Sequence, residues 1–281
     1  VEGNLSRFRV GLDAAHGAAF SIAPRLFRRL GAEVEVINDQ PDGKNINHNC
    51  GSLHLDRVRT LVCEKGLDYG VAFDGDADRS LFVMANGKVF DGDSILYALS
   101  LDLFEKSRLK GNCVVGTVMT NYALELALQR KNIRLVRAAV GDRYVLEGMD
   151  KAGANLGGEP SGHIILRDLH TTGDGCLTAA VLAGLMAARQ TRLESLVEGF
   201  QPFPQLLDGL RVKQKIPLEE SPVMTRLIRA AEARLQGGGR VVVRYSGTEP
   251  LLRIMAEGAD AERVREIVAD LKQEFAQILG S

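Results

Sequence analysis

Apolar residues first gather at Phe8 to Leu12, and a small-residue loop, Asp13-Ala-Ala-His-Gly-Ala, follows them. A helical spacing through Leu26, Phe27 and Leu30, closed by Gly31, leads into an alternating strand at Val34 and Val36. Strand, helix, strand in that order builds a parallel sheet with a crossover helix. A second helix over 55–65 precedes a strand at Tyr69 to Phe73, which runs into an acidic loop. Asn86-Gly87 lies between apolar runs at Ser80–Met84 and Lys88–Phe90, which predicts a hairpin because both residues tolerate positive φ.

A second alternation starts near Asp93. A helix through Leu103, a strand at Cys113 to Val115, a helix from Asn121 to Gln129 and a strand at Ile133 to Val136 come in turn. A further helix follows Gly141, and the nearly polar-free stretch 174–188 reads as a buried helix packing this unit. Phe200-Gln-Pro-Phe-Pro reads as a linker. Beyond it the pattern changes to a strand (Leu210–Val212), a helix (Ser221–Leu235), two strands (Val241–Arg244, Leu251–Glu257) and a helix from Ala261 to Leu279. That order predicts a small α+β domain with an antiparallel sheet.

Composition narrows the function classes. The 281 residues carry a formal net charge of -1 and contain 5% aromatics and no Trp. Neither a basic footprint nor stacking platforms for nucleic acid are present. The longest apolar stretch, Leu177 to Ala188, is too short to span a bilayer, so no membrane partner is expected. Cys50, Cys63, Cys113 and Cys176 are scattered without CxxC spacing, which argues against a disulfide framework or a zinc site and for a cytoplasmic location. The chain begins with Val1, not Met, and reads as a fragment or a processed product.

Chemistry concentrates in three stretches. Asp74-Gly-Asp-Ala-Asp-Arg79 sets three carboxylates at alternate positions after a strand, where Asp74, Asp76 and Asp78 can converge on one Mg²⁺. The competing reading is a solvated acidic turn, opposed by the mutual repulsion of three carboxylates. An EF-hand fails, because Arg79 stands where the loop needs Gly and Ala85 where it needs Glu. Arg244-Tyr-Ser-Gly-Thr-Glu-Pro-Leu-Leu-Arg253 joins two strands. Arg244 offers a planar fork for phosphate oxygens, Ser246 and Thr248 add hydroxyls, and Gly247 permits an anion nest of backbone N–H groups. Arg253 is either a further cation of this clamp or a surface residue on the return strand. Gly157-Gly-Glu-Pro-Ser-Gly-His163 matches no nucleotide-binding fingerprint. Glu159 and Ser161 suit sugar hydroxyls, a plain turn being the alternative. His163 is either structural or, given nearby Glu159, an acid/base group.

Taken in this order, the three motifs resemble the α-D-phosphohexomutase superfamily, and the resemblance spans essentially the whole chain. It implies two phosphohexomutase-type α/β domains, 1–93 (metal-binding) and 94–202 (sugar-binding). A small α+β, TATA-box-binding-protein-like domain for phosphate, 203–281, would follow. It also implies Mg²⁺ on Asp74, Asp76 and Asp78, with Arg79 assisting catalysis and His163 close to it. Sugar contacts would fall to Glu159 and Ser161, and the distal phosphate to Arg244, Ser246, Gly247, Thr248 and Arg253.

Asn49-Cys-Gly-Ser-Leu-His54, Val140-Gly-Asp-Arg-Tyr144 and His170-Thr-Thr-Gly-Asp-Gly175 resemble phosphoglucosamine mutases more than phosphomannomutases or phosphoglucomutases. The implied reaction interconverts glucosamine 6-phosphate and glucosamine 1-phosphate through a phosphoserine and a 1,6-bisphosphate. The family's first domain carries that serine in a Ser-His-Asn-Pro-type loop. No such stretch occurs in these residues, so the chain alone is expected to be inactive. The expected partners are a hexosamine phosphate and the missing N-terminal domain, with a homodimer as an option. A mutase of mannose or glucose phosphates and a non-catalytic phosphosugar-binding module stand as alternatives.

Overall fold

The computed structural model describes residues 3–247 and 249–280. The chain divides into two compact units, one of residues 1–120 and 127–200, the other of 121–126 and 201–281.

The first unit holds two sheets. Strand β1 (Arg9–Asp13), helix α1 (Ala19–Arg29), β2 (Glu33–Ile37), α2 (Asp56–Lys65) and β3 (Tyr69–Phe73) form the expected parallel crossover arrangement. The chain then reverses into β4 (Ser80–Met84) and β5 (Val89–Phe90), giving the order β2-β1-β3-β4-β5. The hairpin at Asn86-Gly87 forms as expected, with Gly87 at φ 79°. Every residue of β3 and β4 is buried, so β3 delivers its carboxyl end to the acidic loop from a fixed core. Val58 and Val62 of α2 pack with Leu67, Ala72 and Val83 beneath that sheet.

Helix α3 (Gly92–Glu105) leads to the second sheet. It is capped by the Asp91 side chain, which accepts from the Ser94 N–H at 3.0 Å, and the expected boundary at 93–94 falls inside it. Strand β6 (Cys113–Thr117), α4 (Tyr122–Gln129), β7 (Arg134–Ala138) and α5 (Asp142–Ala152) follow. Next come the short strands β8 (Leu156–Gly158) and β9 (Ile164–Leu166), and the order is β7-β6-β8-β9. A plain turn over the Gly157–His163 motif does not begin at its first two glycines, which both lie in β8. A side chain at Gly157 would collide with Met149 of α5, so small residues occupy the strand for packing rather than for turning. Helix α6 (Gly175–Ala188) is the expected buried helix, and a one-turn α7 (Leu193–Leu196) was not foreseen. Asp174 caps α6 by accepting from the Leu177 N–H at 2.9 Å.

Besides the first residues of α4, the second unit holds an antiparallel sheet with the order β10-β12-β11 and, among the described residues, helices α8 and α9. Its elements are β10 (Gln205–Arg211), α8 (Pro222–Arg234), β11 (Gly239–Tyr245), β12 (Leu251–Gly258) and α9 (Ala261–Leu279). The structure starts β10 five residues earlier than the pattern at Leu210 predicts. Pairing with β12 from Gln205↔Glu257 onward overrides the weak strand preference of Asp208 and Gly209. Leu210, Leu252, Ile254 and Ala256 meet Val264, Ile267, Leu271 and Phe275 of α9 in one core. Alternation along β12 therefore puts Arg253, Met255 and Glu257 on the opposite face. Among the described residues no helix is long and apolar enough to cross a membrane.

Candidate active site

The acidic loop leaves β3 with Asp74 buried, Asp78 half-buried and Asp76 exposed. One carboxylate oxygen from each lies within 4.8 Å of the others, the spacing a single small cation needs. Two things hold the loop in that curl. Ala77 sits at φ 63°, a left-handed conformation costing a β-carbon residue of the order of 1 kcal/mol or more. Its N–H donates to the Asp74 carbonyl at 3.1 Å, and its own carbonyl accepts from the Gly175 N–H at 2.9 Å. The Arg79 N–H donates to Asp74 Oδ1 at 3.1 Å, and the Arg79 Nε lies 3.6 Å from Asp74 and 3.7 Å from Asp78.

Burial pushes the Asp74 carboxyl up to about 7, with the neighbouring charges of Asp78 and Asp76 adding to it and the Arg79 amide opposing it. Asp78 Oδ1 is buried and has no hydrogen-bond partner among the described residues. Three converging carboxylates, one with a raised pKa and one with an orphaned oxygen, fit a hard divalent ion with oxygen ligands.

The Glu159–His163 loop is bound directly to this site. It closes the β8–β9 hairpin, with Glu159 N–H donating to the His163 carbonyl at 2.9 Å and Gly162 N–H to the Glu159 carbonyl at 3.1 Å. Arg79 and His163 form an antiparallel bridge, and the Ser80 N–H donates to the Gly162 carbonyl at 3.2 Å. The hairpin thus adds to the edge of the acidic loop. His163, only 4% exposed, places Nδ1 2.9 Å from Asp78 Oδ2. Its Nε2 is buried and has no hydrogen-bond partner among the described residues. Glu159 Oε1 accepts from the Gly141 N–H at 3.0 Å, which ties this loop to the start of α5. The Ser161 hydroxyl, in a half-buried residue, has no partner among the described residues.

One component was missed as part of the site. His170-Thr-Thr-Gly-Asp-Gly175 served in the sequence only as a subfamily mark, yet it wraps the acidic loop. A side chain at Gly173 would run into the His163 ring, and one at Gly175 into the Arg79 carbonyl. The only sequence signal was a Gly-Asp-Gly entering a capped helix.

In the second unit Arg244 and Arg253 lie directly opposite each other across β11 and β12. Like charges so placed repel. Glu249 lies 4.0 Å from Arg253, and among the described residues Arg244 has no ion pair. Both Nε atoms are buried and without a hydrogen-bond partner among the described residues. Desolvation, and secondarily the charge of Arg253, lower the Arg244 pKa from its ordinary value. Ser246 is buried, and its N–H donates to the Leu251 carbonyl at 2.8 Å, closing the turn. A side chain at Gly247 would meet nothing within 4 Å among the described residues beyond its chain neighbours, and Thr248 lies outside the described residues. Two arginines side by side, with one carboxylate 4.0 Å from Arg253, leave positive charge for an anion.

Three domain models of one family match in series. They are "Phosphoglucomutase/phosphomannomutase, alpha/beta/alpha domain II" over residues 2–87, domain III over 91–203 and the C-terminal domain over 209–274. The chain belongs to the phosphoglucomutase/phosphomannomutase family. A phosphoglucosamine mutase of Citrifermentans bemidjiense is 46% identical over 277 residues, which is 99% of this chain and 61% of that protein. The chain therefore spans about three fifths of the length of such relatives. A family protein from Burkholderia thailandensis superposes with a TM-score of 0.79 at 23% identity, covering 98% of this chain and 62% of that one. An N-acetylphosphoglucosamine mutase of Aspergillus fumigatus, solved with GlcNAc-6P and magnesium, gives a TM-score of 0.73 at 19% identity, covering 97% and 66%. At these identities the structures establish the α-D-phosphohexomutase fold of this family member.

Proposed function

We propose that this chain is the metal-, sugar- and phosphate-binding part of a phosphoglucosamine mutase, acting on glucosamine 6-phosphate and glucosamine 1-phosphate. The observation that carries the reading is the junction of two sequence-remote motifs. Asp78 of the acidic loop meets His163 of the sugar loop at 2.9 Å, so metal and sugar functions share one site. The 46% identity to a phosphoglucosamine mutase supports the choice of sugar.

Asp74, Asp76 and Asp78 hold Mg²⁺ in this proposal, and the ion, when bound, neutralises charge on a phosphoryl group. Phosphoryl transfer depends chiefly on positioning and electrostatics, which are what the chain's own residues supply. Arg79, flanking the trio, adds a cation beside it. His163 orients Asp78 by its Nδ1 contact, a positioning task in place of the acid/base role open to it in the sequence. Glu159, fixed by the Gly141 amide, and Ser161, with an unspent hydroxyl, are left for sugar hydroxyls. Arg244, Arg253, Ser246, Gly247 and Thr248 form a phosphate clamp in this proposal.

The test is turnover by the chain joined to a family first domain carrying the serine. Glucosamine 6-phosphate should be converted with a much higher kcat/KM than mannose or glucose 6-phosphate. Preference for either neutral sugar would overturn the assignment. The 281 residues alone should give no conversion in a coupled assay.

A further inference from the structure

The phosphate turn is braced from one side by the segment that follows β10. The Val212 N–H donates to the Pro250 carbonyl at 3.0 Å. The Tyr245 hydroxyl donates to the Ile216 carbonyl at 2.8 Å and accepts from the Ile216 N–H at 3.2 Å. Between these ties, Lys215 Nζ donates to the Ser246 carbonyl at 2.7 Å. Lys215 has no carboxylate partner among the described residues, so its charge is directed at a backbone oxygen. Ile216 and Leu218 pack against the core of the unit, which anchors the brace.

The carbonyl that Lys215 holds belongs to the same peptide plane as the Gly247 N–H. In a trans peptide the C=O and N–H point in opposite directions. Fixing the Ser246 oxygen on one side therefore aims the Gly247 N–H to the other. A side chain at Gly247 would meet nothing within 4 Å among the described residues beyond its chain neighbours. A glycine peptide turns easily, so without such a tether this amide would have no preferred direction. Preorganised backbone donors bind an anion better than donors that must first be ordered.

We propose that Lys215 is a positioning residue of the phosphate site, orienting the Gly247 amide through the Ser246 carbonyl, and that Tyr245 holds the segment carrying it. The proposal rests on the phosphate-clamp reading of Arg244 to Arg253.

The test is titration of the full chain with inorganic phosphate in the absence of divalent ions, followed by the Gly247 amide signal. Lys215→Met should weaken phosphate binding about tenfold, the scale of one charge-assisted hydrogen bond. It should also shift the Ser246 carbonyl ¹³C signal and leave the melting temperature unchanged. Lys215→Arg, able to donate to the same oxygen, should restore most of the affinity. Tyr245→Phe, which removes no charge, should weaken binding by about threefold through loosening of the brace. Unchanged affinity in Lys215→Met, with binding lost in Arg244→Ala, would overturn the role of Lys215 and leave the clamp standing. A chain that binds no phosphate at all would overturn the clamp and this proposal together.

Discussion

His163 Nδ1 lies 2.9 Å from Asp78 Oδ2, joining a loop of the second sheet to a loop of the first across 85 positions of sequence. Groups that orient a metal ligand from behind typically contribute ten- to a hundredfold in affinity. His163→Ala should accordingly weaken Mg²⁺ binding by about tenfold or more, measured by calorimetry. Affinity equal to that of the unaltered chain would reduce His163 to a packing residue.

Asp74 carries a carboxyl raised to about 7, and its sign is the reverse of the usual salt-bridged acid. The folded chain holds this proton more tightly than the unfolded one. Without metal, its contribution to stability is present at low pH and is lost as pH rises from about 4 to about 7. Urea unfolding in the absence of divalent ions should show that loss, and Asp74→Asn should flatten it. Mg²⁺ affinity should fall as pH drops below about 7, because proton and metal compete for the same oxygens.

Gly173 touches the His163 ring so closely that a methyl group has no room. Gly173→Ala should destabilise the fold by about 1–3 kcal/mol, the cost of overpacking a filled site. It should also displace His163 and weaken Mg²⁺ binding in parallel. Denaturant unfolding and metal titration of the same variant check both effects.

Glu257 is fully buried in the second unit and is paired with Arg240, while Gln205 donates to it at 2.8 Å. Arg240→Ala would take from that buried carboxylate its paired cation. A cost of about 3 kcal/mol in urea unfolding is expected. A change within experimental error would show that Glu257 can be solvated or neutralised without its partner.

Much of this was readable from the chain because local rules and tertiary structure agreed. The alternation of Asp74, Asp76 and Asp78 after an apolar strand predicted the loop, and the structure brings one carboxylate oxygen of each within 4.8 Å of the others. Ala261 to Leu279 is helical over the residues its spacing predicted, since Asp260 caps one end and α9 buries one continuous face. Strands β8 and β9 are three residues each, too short for a period to register, and their glycines resemble loop chemistry. The partners of His163 and Glu159 come from residues 85 and 18 positions away. No pattern in one sequence encodes such pairs. The 170–175 loop was visible as a string of small residues, but its task of making room for His163 and Arg79 exists only in three dimensions.

The account depends most on one divalent ion being held by Asp74, Asp76 and Asp78. Electron paramagnetic resonance of Mn²⁺ titrated into the chain addresses it directly. A single class of site is predicted, displaced by Mg²⁺ and abolished in Asp76→Asn, whose exposed side chain can be changed without disturbing the fold. Equal Mn²⁺ binding by a folded Asp76→Asn variant, or no binding by the unaltered chain, would contradict it.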